Sequence, residues 1–200
     1  LSNNKINEKK CSGRVEELEK ILFKSPSGGN LGIGHVRWAT HGIPNIVNAH
    51  PHSSEIVSVV HNGIIENSDE IKKILEAKGI KFKSQTDTEV ITLLITEALK
   101  NNKPLESVFN TLKKLKGSFA LGIIFKNFEN IIIGARRGSP LAVGYSKEEN
   151  YLGSDSYALK SMTNKISYLD DGDLCVLSKD KVEFYDLNKK KINKKVHILS

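Results

Sequence analysis

From Gly117 to Asp186 the chain is a series of short apolar runs separated by turn residues: Phe119–Phe125, Ile131–Ala135, Leu141–Tyr145, Tyr151–Ser154, Ile166–Leu169, Leu174–Leu177 and Val182–Asp186. Runs of this length, bounded by glycine, asparagine, aspartate and proline, read as strands. That many short strands must be gathered into sheets, and the segments before them decide the architecture.

Upstream, Val15–Phe23 carries a helical pattern that ends before the Ser25-Pro-Ser-Gly-Gly29 loop. Leu31–Trp38 reads as a strand. Ala39–Ser54 shows no periodicity, and a connection of that length inside a compact domain is usually functional. Glu55–Val60 reads as a strand that stops at His61-Asn62-Gly63. Two helix starts follow. Asn67-Ser-Asp-Glu70 offers a capping asparagine, with Gly79 marking the helix end. Thr86-Asp-Thr-Glu89 has the form of a capping box leading into Val90–Leu99. A third helix is expected over Leu105–Leu115. Strands, then helices, then many short strands indicate an α+β domain with largely antiparallel sheets whose faces the helices cover. Periodicity takes the fold no further, and there is no internal repeat.

Two hundred residues suit one domain. The net charge of +7 comes mainly from lysine, since the only arginines are Arg14, Arg37, Arg136 and Arg137. Readers of nucleic acid concentrate arginine and aromatic residues on one face. Here the lysines are scattered, apart from Lys189, Lys190, Lys191, Lys194 and Lys195, a run that reads as a solvated edge or linker. No nucleic-acid partner is expected. Cys11 and Cys175 make no disulfide framework and suit a reducing cytosol. No stretch has the apolar length of a membrane span, and the first ten residues lack the apolar core of a signal peptide. The first residue is Leu1, so the chain is not expected to begin at a natural translation start.

Five of the six histidines, His35, His41, His50, His52 and His61, lie within 27 residues. His50-Pro-His52 would put two imidazoles on one side of an extended chain. Yet no metal-site spacing is present and no carboxylate stands among them in a ligand-like pattern, so no metal is expected. The alternative is that these histidines hydrogen-bond to hold a long loop in place.

The blocks His35-Val-Arg-Trp-Ala-Thr-His-Gly42, Asn48-Ala-His-Pro-His52, His61-Asn-Gly-Ile-Ile-Glu-Asn67 and Thr86-Asp-Thr-Glu89 occur in an order and spacing that resembles the class II glutamine amidotransferases. Within that class they are most similar to the glutaminase domain of the glucosamine-6-phosphate synthases. Lys116-Gly-Ser-Phe-Ala-Leu121, Ala135-Arg-Arg-Gly-Ser-Pro140 and Gly153-Ser-Asp155 resemble the same family, which extends the likeness from about Ser12 onward. The resemblance implies a four-layer α-β-β-α sandwich of the N-terminal-nucleophile hydrolase type. It implies hydrolysis of glutamine to glutamate and ammonia through a thioester, without cofactor. In the complete enzyme, sugar-isomerase domains would take the ammonia to fructose 6-phosphate, giving glucosamine 6-phosphate, and would carry a homodimer contact. The present chain, residues 1–200, would be the amidotransferase domain without those parts.

The chemistry that the resemblance implies can be weighed residue by residue. Asn62 and Gly63 would form the oxyanion hole, the asparagine amide and the glycine N–H pointing at one oxygen. Arg37 would grip the substrate carboxylate with its planar fork. Trp38, Thr40 and His41 would line the same pocket. Asp87, in the first turn of a helix, would meet the substrate ammonium, and His50 would support the site. Each has a plainer rival: Asn62-Gly63 as a hairpin turn, Asp87 as a helix cap, Arg37 with Trp38 as a cation–π pair. The family's nucleophile is a cysteine at the first mature position, with its own α-amino group as base. Neither Cys11 nor Cys175 matches it, and the family's opening strand and helix have no counterpart in the 200 residues. The expectations are a domain truncated at its N-terminus or, alternatively, a module that binds glutamine without hydrolysing it, or a scaffold that has lost the site.

Overall fold

The computed structural model describes residues 1–37, 42–128 and 130–199. Two antiparallel sheets are stacked. The larger has seven strands: β1 (His52–Ser53), β2 (Val57–Ile65), β3 (Gly117–Phe125), β4 (Ile132–Arg137), β8 (Leu174–Leu177), β9 (Val182–Tyr185) and β10 (Lys191–Ile192), side by side in that order. The smaller runs β11 (His197–Ile198), β7 (Lys165–Tyr168), β5 (Ala142–Tyr145) and β6 (Asn150–Gly153). β2 and β3 pair without a break from Val57↔Phe125 to Ile65↔Gly117 and form the spine of the molecule.

The period-two alternation of the central strands separates two cores. Val57, Val59, Phe119, Leu121, Ile123 and Ile133 face the helices α2 (Ser68–Ala77), α3 (Thr88–Ala98) and α4 (Pro104–Leu112), meeting Ile91, Ile95, Val108, Phe109 and Leu112. The opposite face contributes Ala120 and Cys175, which pack between the sheets with Leu141, Val143, Leu169, Leu177 and Phe184. On the outside of the smaller sheet, Ala142 and Ile166 pack on Leu159 of the one-turn helix α5 (Ser156–Leu159). The order helices, sheet, sheet, helix is the four-layer α-β-β-α sandwich. Helix α1 (Val15–Lys24) lies outside this stack, with none of its residues buried. No helix among the described residues is long and apolar enough to cross a membrane.

Several local expectations give way to tertiary contacts. Leu31–Arg37 forms no strand and joins neither sheet. β2 does not stop at His61 but continues to Ile65. Asn67 holds the N-cap position of α2, yet its side chain makes no cap. It donates to Lys114 O at 2.9 Å and accepts from Lys116 N at 2.8 Å, joining the helix start to the entry of β3. The Thr86–Glu89 box is rearranged too. Glu89 reaches back to Lys83 N, Ser84 N and Ser84 Oγ at 2.6–2.8 Å, so a buried carboxylate is satisfied by a turn. The lysine-rich end is not a bare linker. β10 pairs with β9 and β11 with β7, and Lys194 between them binds Asp170 at 2.6 Å and also Asp173. Two-residue strands carry no periodicity that a sequence reading could detect.

Candidate active site

β2 carries Asn62 and Gly63 across from Ala120 and Phe119, inside the ladder. This excludes the hairpin-turn reading, because neither residue is in a loop. Gly63 has φ +128°, and a Cβ there would stand 2.2 Å from Ser118 O, so only glycine fits. β1 covers the outer edge of β2 only at Ser58 and Val59. Further along that edge the N-terminus of α3 takes over: Asp87 Oδ2 accepts the Ile65 N–H at 2.8 Å. Asp87 is buried at the N-cap position of α3, but its side chain caps nothing in the helix. The capping rival therefore fails as well.

Four of the histidines form a compact array. His35 Nε2 lies 2.8 Å from Asn62 Oδ1. The His35 and His50 rings stack with centroids 4.2 Å apart, and His52 meets His50 edge-on at 5.0 Å. Thr88 Oγ1 stands 3.0 Å from His50 Nε2 and 2.9 Å from His61 Nδ1, while His61 Nε2 approaches Ser118 O at 3.3 Å. His52 Nε2 meets Thr86 Oγ1 at 2.9 Å. Burial, reinforced by the neighbouring rings and Arg37, pushes His50 down to about 2. His52 falls to about 4, again chiefly through burial. His35 is lowered from its ordinary value by burial, against the opposing pull of its bond to Asn62. With His35, His50 and His52 held toward the neutral form, the array is a hydrogen-bonding scaffold, and no group of three or more histidine, cysteine or acidic side chains among the described residues could hold a metal ion.

A cavity of about 300 Å³ is lined by Arg37, His50, Asn62, Gly63, Asp87, Thr88 and Ser118 among others. Arg37 donates from Nη1 to Ile43 O and from Nη2 to Gly42 O, both at 3.2 Å. Asn48, almost fully buried, fastens the same loop to the approach to α3. Its Nδ2 donates to Ile43 O and Gln85 Oε1, and its Oδ1 accepts from Gln85 N. Arg37, Asn62, Gly63, Asp87 and His50 thus share one cavity wall. Trp38, Thr40 and His41 lie outside the described residues. Sequence reasoning missed Thr88, Asn48, Gln85 and Ser118 as contributors. Thr88, Asn48 and Ser118 sit inside conspicuous blocks, whereas nothing local marks Gln85.

The cysteines are elsewhere. Cys175 is fully buried between the sheets, where burial pushes its thiol up to about 12. Cys11 lines a neighbouring cavity of about 290 Å³ that reaches His35, Arg37 and His50 but neither Asn62 nor Gly63.

Comparison with known proteins agrees with this geometry. The glutamine amidotransferase domain family matches residues 46–161. The glutamine–fructose-6-phosphate aminotransferases (isomerizing) of Mesorhizobium japonicum and Zymomonas mobilis are 47% and 46% identical over 196 and 197 residues. Each alignment covers 98% of this chain and 32% of the relative, so the chain spans about a third of those proteins' length. Among solved structures, the glutamine phosphoribosylpyrophosphate amidotransferase of B. subtilis superimposes with a TM-score of 0.64 at 25% identity, covering 78% of this chain and 35% of that one. A glutamine aminotransferase class-II domain protein from Silicibacter pomeroyi shares the fold, with a TM-score of 0.55 at 15% identity over 68% of this chain and 70% of its own. The fold is therefore that of the N-terminal-nucleophile amidotransferases. With more than half its length matched by the family, and Asn62, Gly63 and Asp87 gathered on one cavity, the chain belongs to the glutamine amidotransferase domains.

Proposed function

We propose that this chain forms the glutamine-binding and oxyanion-stabilising part of an enzyme that hydrolyses glutamine to glutamate and ammonia. The ammonia would serve the conversion of fructose 6-phosphate to glucosamine 6-phosphate, the sugar chemistry and the pairing of two copies belonging to a sugar-isomerase part. The observation that carries the reading is the single cavity bordered by Arg37, Asn62, Gly63 and Asp87. Its lining offers a cation and a carboxylate, as a zwitterionic amino acid requires. It also offers a carboxamide and a strand N–H, as a tetrahedral oxyanion requires.

Attack on the glutamine side-chain carbonyl moves negative charge onto its oxygen. With Asn62 Oδ1 turned to His35, the Nδ2 group is left to donate to that oxygen. Gly63 N–H is its second donor. In an antiparallel ladder alternate N–H groups face the same edge, so Gly63 shares the edge on which Ile65 meets Asp87. Asp87 uses one oxygen there and keeps the other for the substrate ammonium. Arg37 donates to two neutral main-chain carbonyls, and a substrate carboxylate is the stronger acceptor for its guanidinium. Proton return to the leaving nitrogen completes ammonia, and water then releases glutamate. The nucleophile is not one of these residues: Cys175 is sealed in the core and Cys11 faces another cavity. No cofactor enters this scheme. A cytoplasmic setting, in which both thiols stay reduced, belongs to the same reading.

The test is glutamate release by the complete enzyme, together with glutamine titration of this chain followed by backbone amide shifts. Perturbation centred on Asn62, Gly63 and Asp87 is expected. Shifts confined to other surfaces would overturn the reading. Binding without glutamate release by the complete enzyme would favour a glutamine-binding module.

A further inference from the structure

The hydrogen bonds around Thr88 have a fixed direction that follows from one carbonyl. Ser118 O can only accept, so His61 Nε2 must carry a proton to bond with it. With one proton on the His61 ring, its Nδ1 is bare, and the group facing it, the Thr88 hydroxyl, must donate. A hydroxyl has one proton. With that proton committed to His61, Thr88 Oγ1 can only accept from His50, so His50 Nε2 carries the proton and His50 Nδ1 is bare. The structure contains the matching vacancy: His50 Nδ1 is buried and has no hydrogen-bond partner among the described residues. At His35, Nε2 donates to Asn62 Oδ1, a carbonyl oxygen that can only accept.

We propose that Thr88 is a positioning residue: its hydroxyl relays the polarity of Ser118 O through His61 to His50, and the tautomer and orientation so imposed on His50 hold the stacked His35 ring, which turns the Asn62 carboxamide so that Nδ2 faces the cavity. His50 held at about 2 keeps the ring neutral at physiological pH, so the one-proton accounting applies to it. Thr88 touches no reacting atom in this arrangement and acts only through the rings. Its two acceptor–donor roles require a hydroxyl, which no methyl group of the same shape supplies. Serine supplies it. The bond directions stand on the hydrogen-bond geometry and on rings that carry one proton each, and only their catalytic consequence rests on the glutaminase reading.

Long-range proton–nitrogen correlation spectra of the labelled chain at neutral pH read which ring nitrogen bears the proton. His35, His50 and His61 are all expected as Nε2–H rings with bare Nδ1. Thr88→Ser should keep that pattern. Thr88→Val should leave His61 fixed by Ser118 O while His50 becomes a mixture of tautomers. A wild-type His50 protonated on Nδ1 would overturn the proposal, and this reading needs no variant to fold. So would a folded Thr88→Val chain whose His50 is unchanged. In the complete enzyme, Thr88→Val should lower kcat for glutamate release by up to about 10²-fold with KM little changed, the scale of a small misplacement of a donor. Thr88→Ser should restore it. A shifted His50 tautomer with kcat intact would overturn the positioning role. Absence of glutamate release by the wild-type enzyme would instead remove the glutaminase reading, leaving the tautomer pattern to stand or fall on its spectra.

Discussion

Asp87 Oδ2 and the main-chain N–H of Ile65 meet at 2.8 Å, tying the start of α3 to the edge of β2 two residues beyond Gly63. The contact gives Asp87 two separable tasks, one for each oxygen. Asp87→Ala leaves a buried N–H without an acceptor, which costs about 1–3 kcal/mol of stability. Asp87→Asn keeps an acceptor oxygen but loses the charge proposed to meet the substrate ammonium. Its stability should stay close to wild type while KM for glutamine rises about 10–100-fold, the value of one charge-assisted bond. Denaturation midpoints and steady-state kinetics of the complete enzyme separate the two effects.

Asn62→Ala should lower kcat by about 10²–10³, the range for losing one oxyanion donor, with KM nearly unchanged because Arg37 and Asp87 hold the other end of the substrate. Asn62→Asp is the sharper measurement. It keeps an acceptor for His35 but puts negative charge where the oxyanion must form. A catalytically competent Asn62→Asp enzyme would remove Asn62 from the oxyanion hole.

Gly63→Ala tests the backbone at the same place. The added methyl would stand 2.2 Å from Ser118 O, at a φ that L-residues avoid. A stability loss of at least about 1–3 kcal/mol is expected from the backbone conformation alone, with the β2–β3 ladder displaced. Urea unfolding of the variant measures it. A Gly63→Ala chain as stable as wild type would show that the strand has room it does not have here.

Acid should weaken the fold through the histidines. His50 near 2 and His52 near 4 lie below the ordinary 6.5, so below pH 6.5 the unfolded chain takes up protons that the folded chain refuses. Stability is thus complete above pH 6.5 and falls as the pH drops, with a limiting slope of roughly 1.4 kcal/mol per pH unit for each ring. The carboxylates whose values are lowered, Glu106, Asp170 and Glu183, start from 3.8–4.5 and act only at more acid pH. Thermal midpoints should be level from pH 7.5 to about 6.5 and fall from there to pH 5, and His50→Gln should flatten the slope. A flat wild-type profile would contradict the neutral histidine array.

Glutamate release by this chain alone should be absent, because Cys175 is buried and Cys11 borders a different cavity. Turnover abolished by Cys11→Ala or Cys175→Ala, measured by glutamate formation, would overturn that reasoning.

Much of the architecture was legible before any coordinates. The short runs after Gly117 are strands, and Leu174–Leu177 matches β8 end to end. Val15–Phe23 is a helix, and Gly79 follows α2 with positive φ. These features are local: side-chain period and glycine's backbone freedom act within a few residues, so sequence alone determines them. The four blocks that named the family are also local, and they held Arg37, His50, Asn62, Gly63 and Asp87 before their distances were known. What only the tertiary structure decided are the partners at long range. Asn62-Gly63 reads locally as a turn, yet nine cross-strand pairs with β3 hold it in a ladder. Asp87 reads as a helix cap, but an unpaired strand edge claims its carboxylate. Thr88 lies 38 residues from His50 and 27 from His61 along the chain. A hydroxyl's direction is set by the acceptor at the far end of its chain of bonds, here Ser118 O, and no sequence window holds both ends.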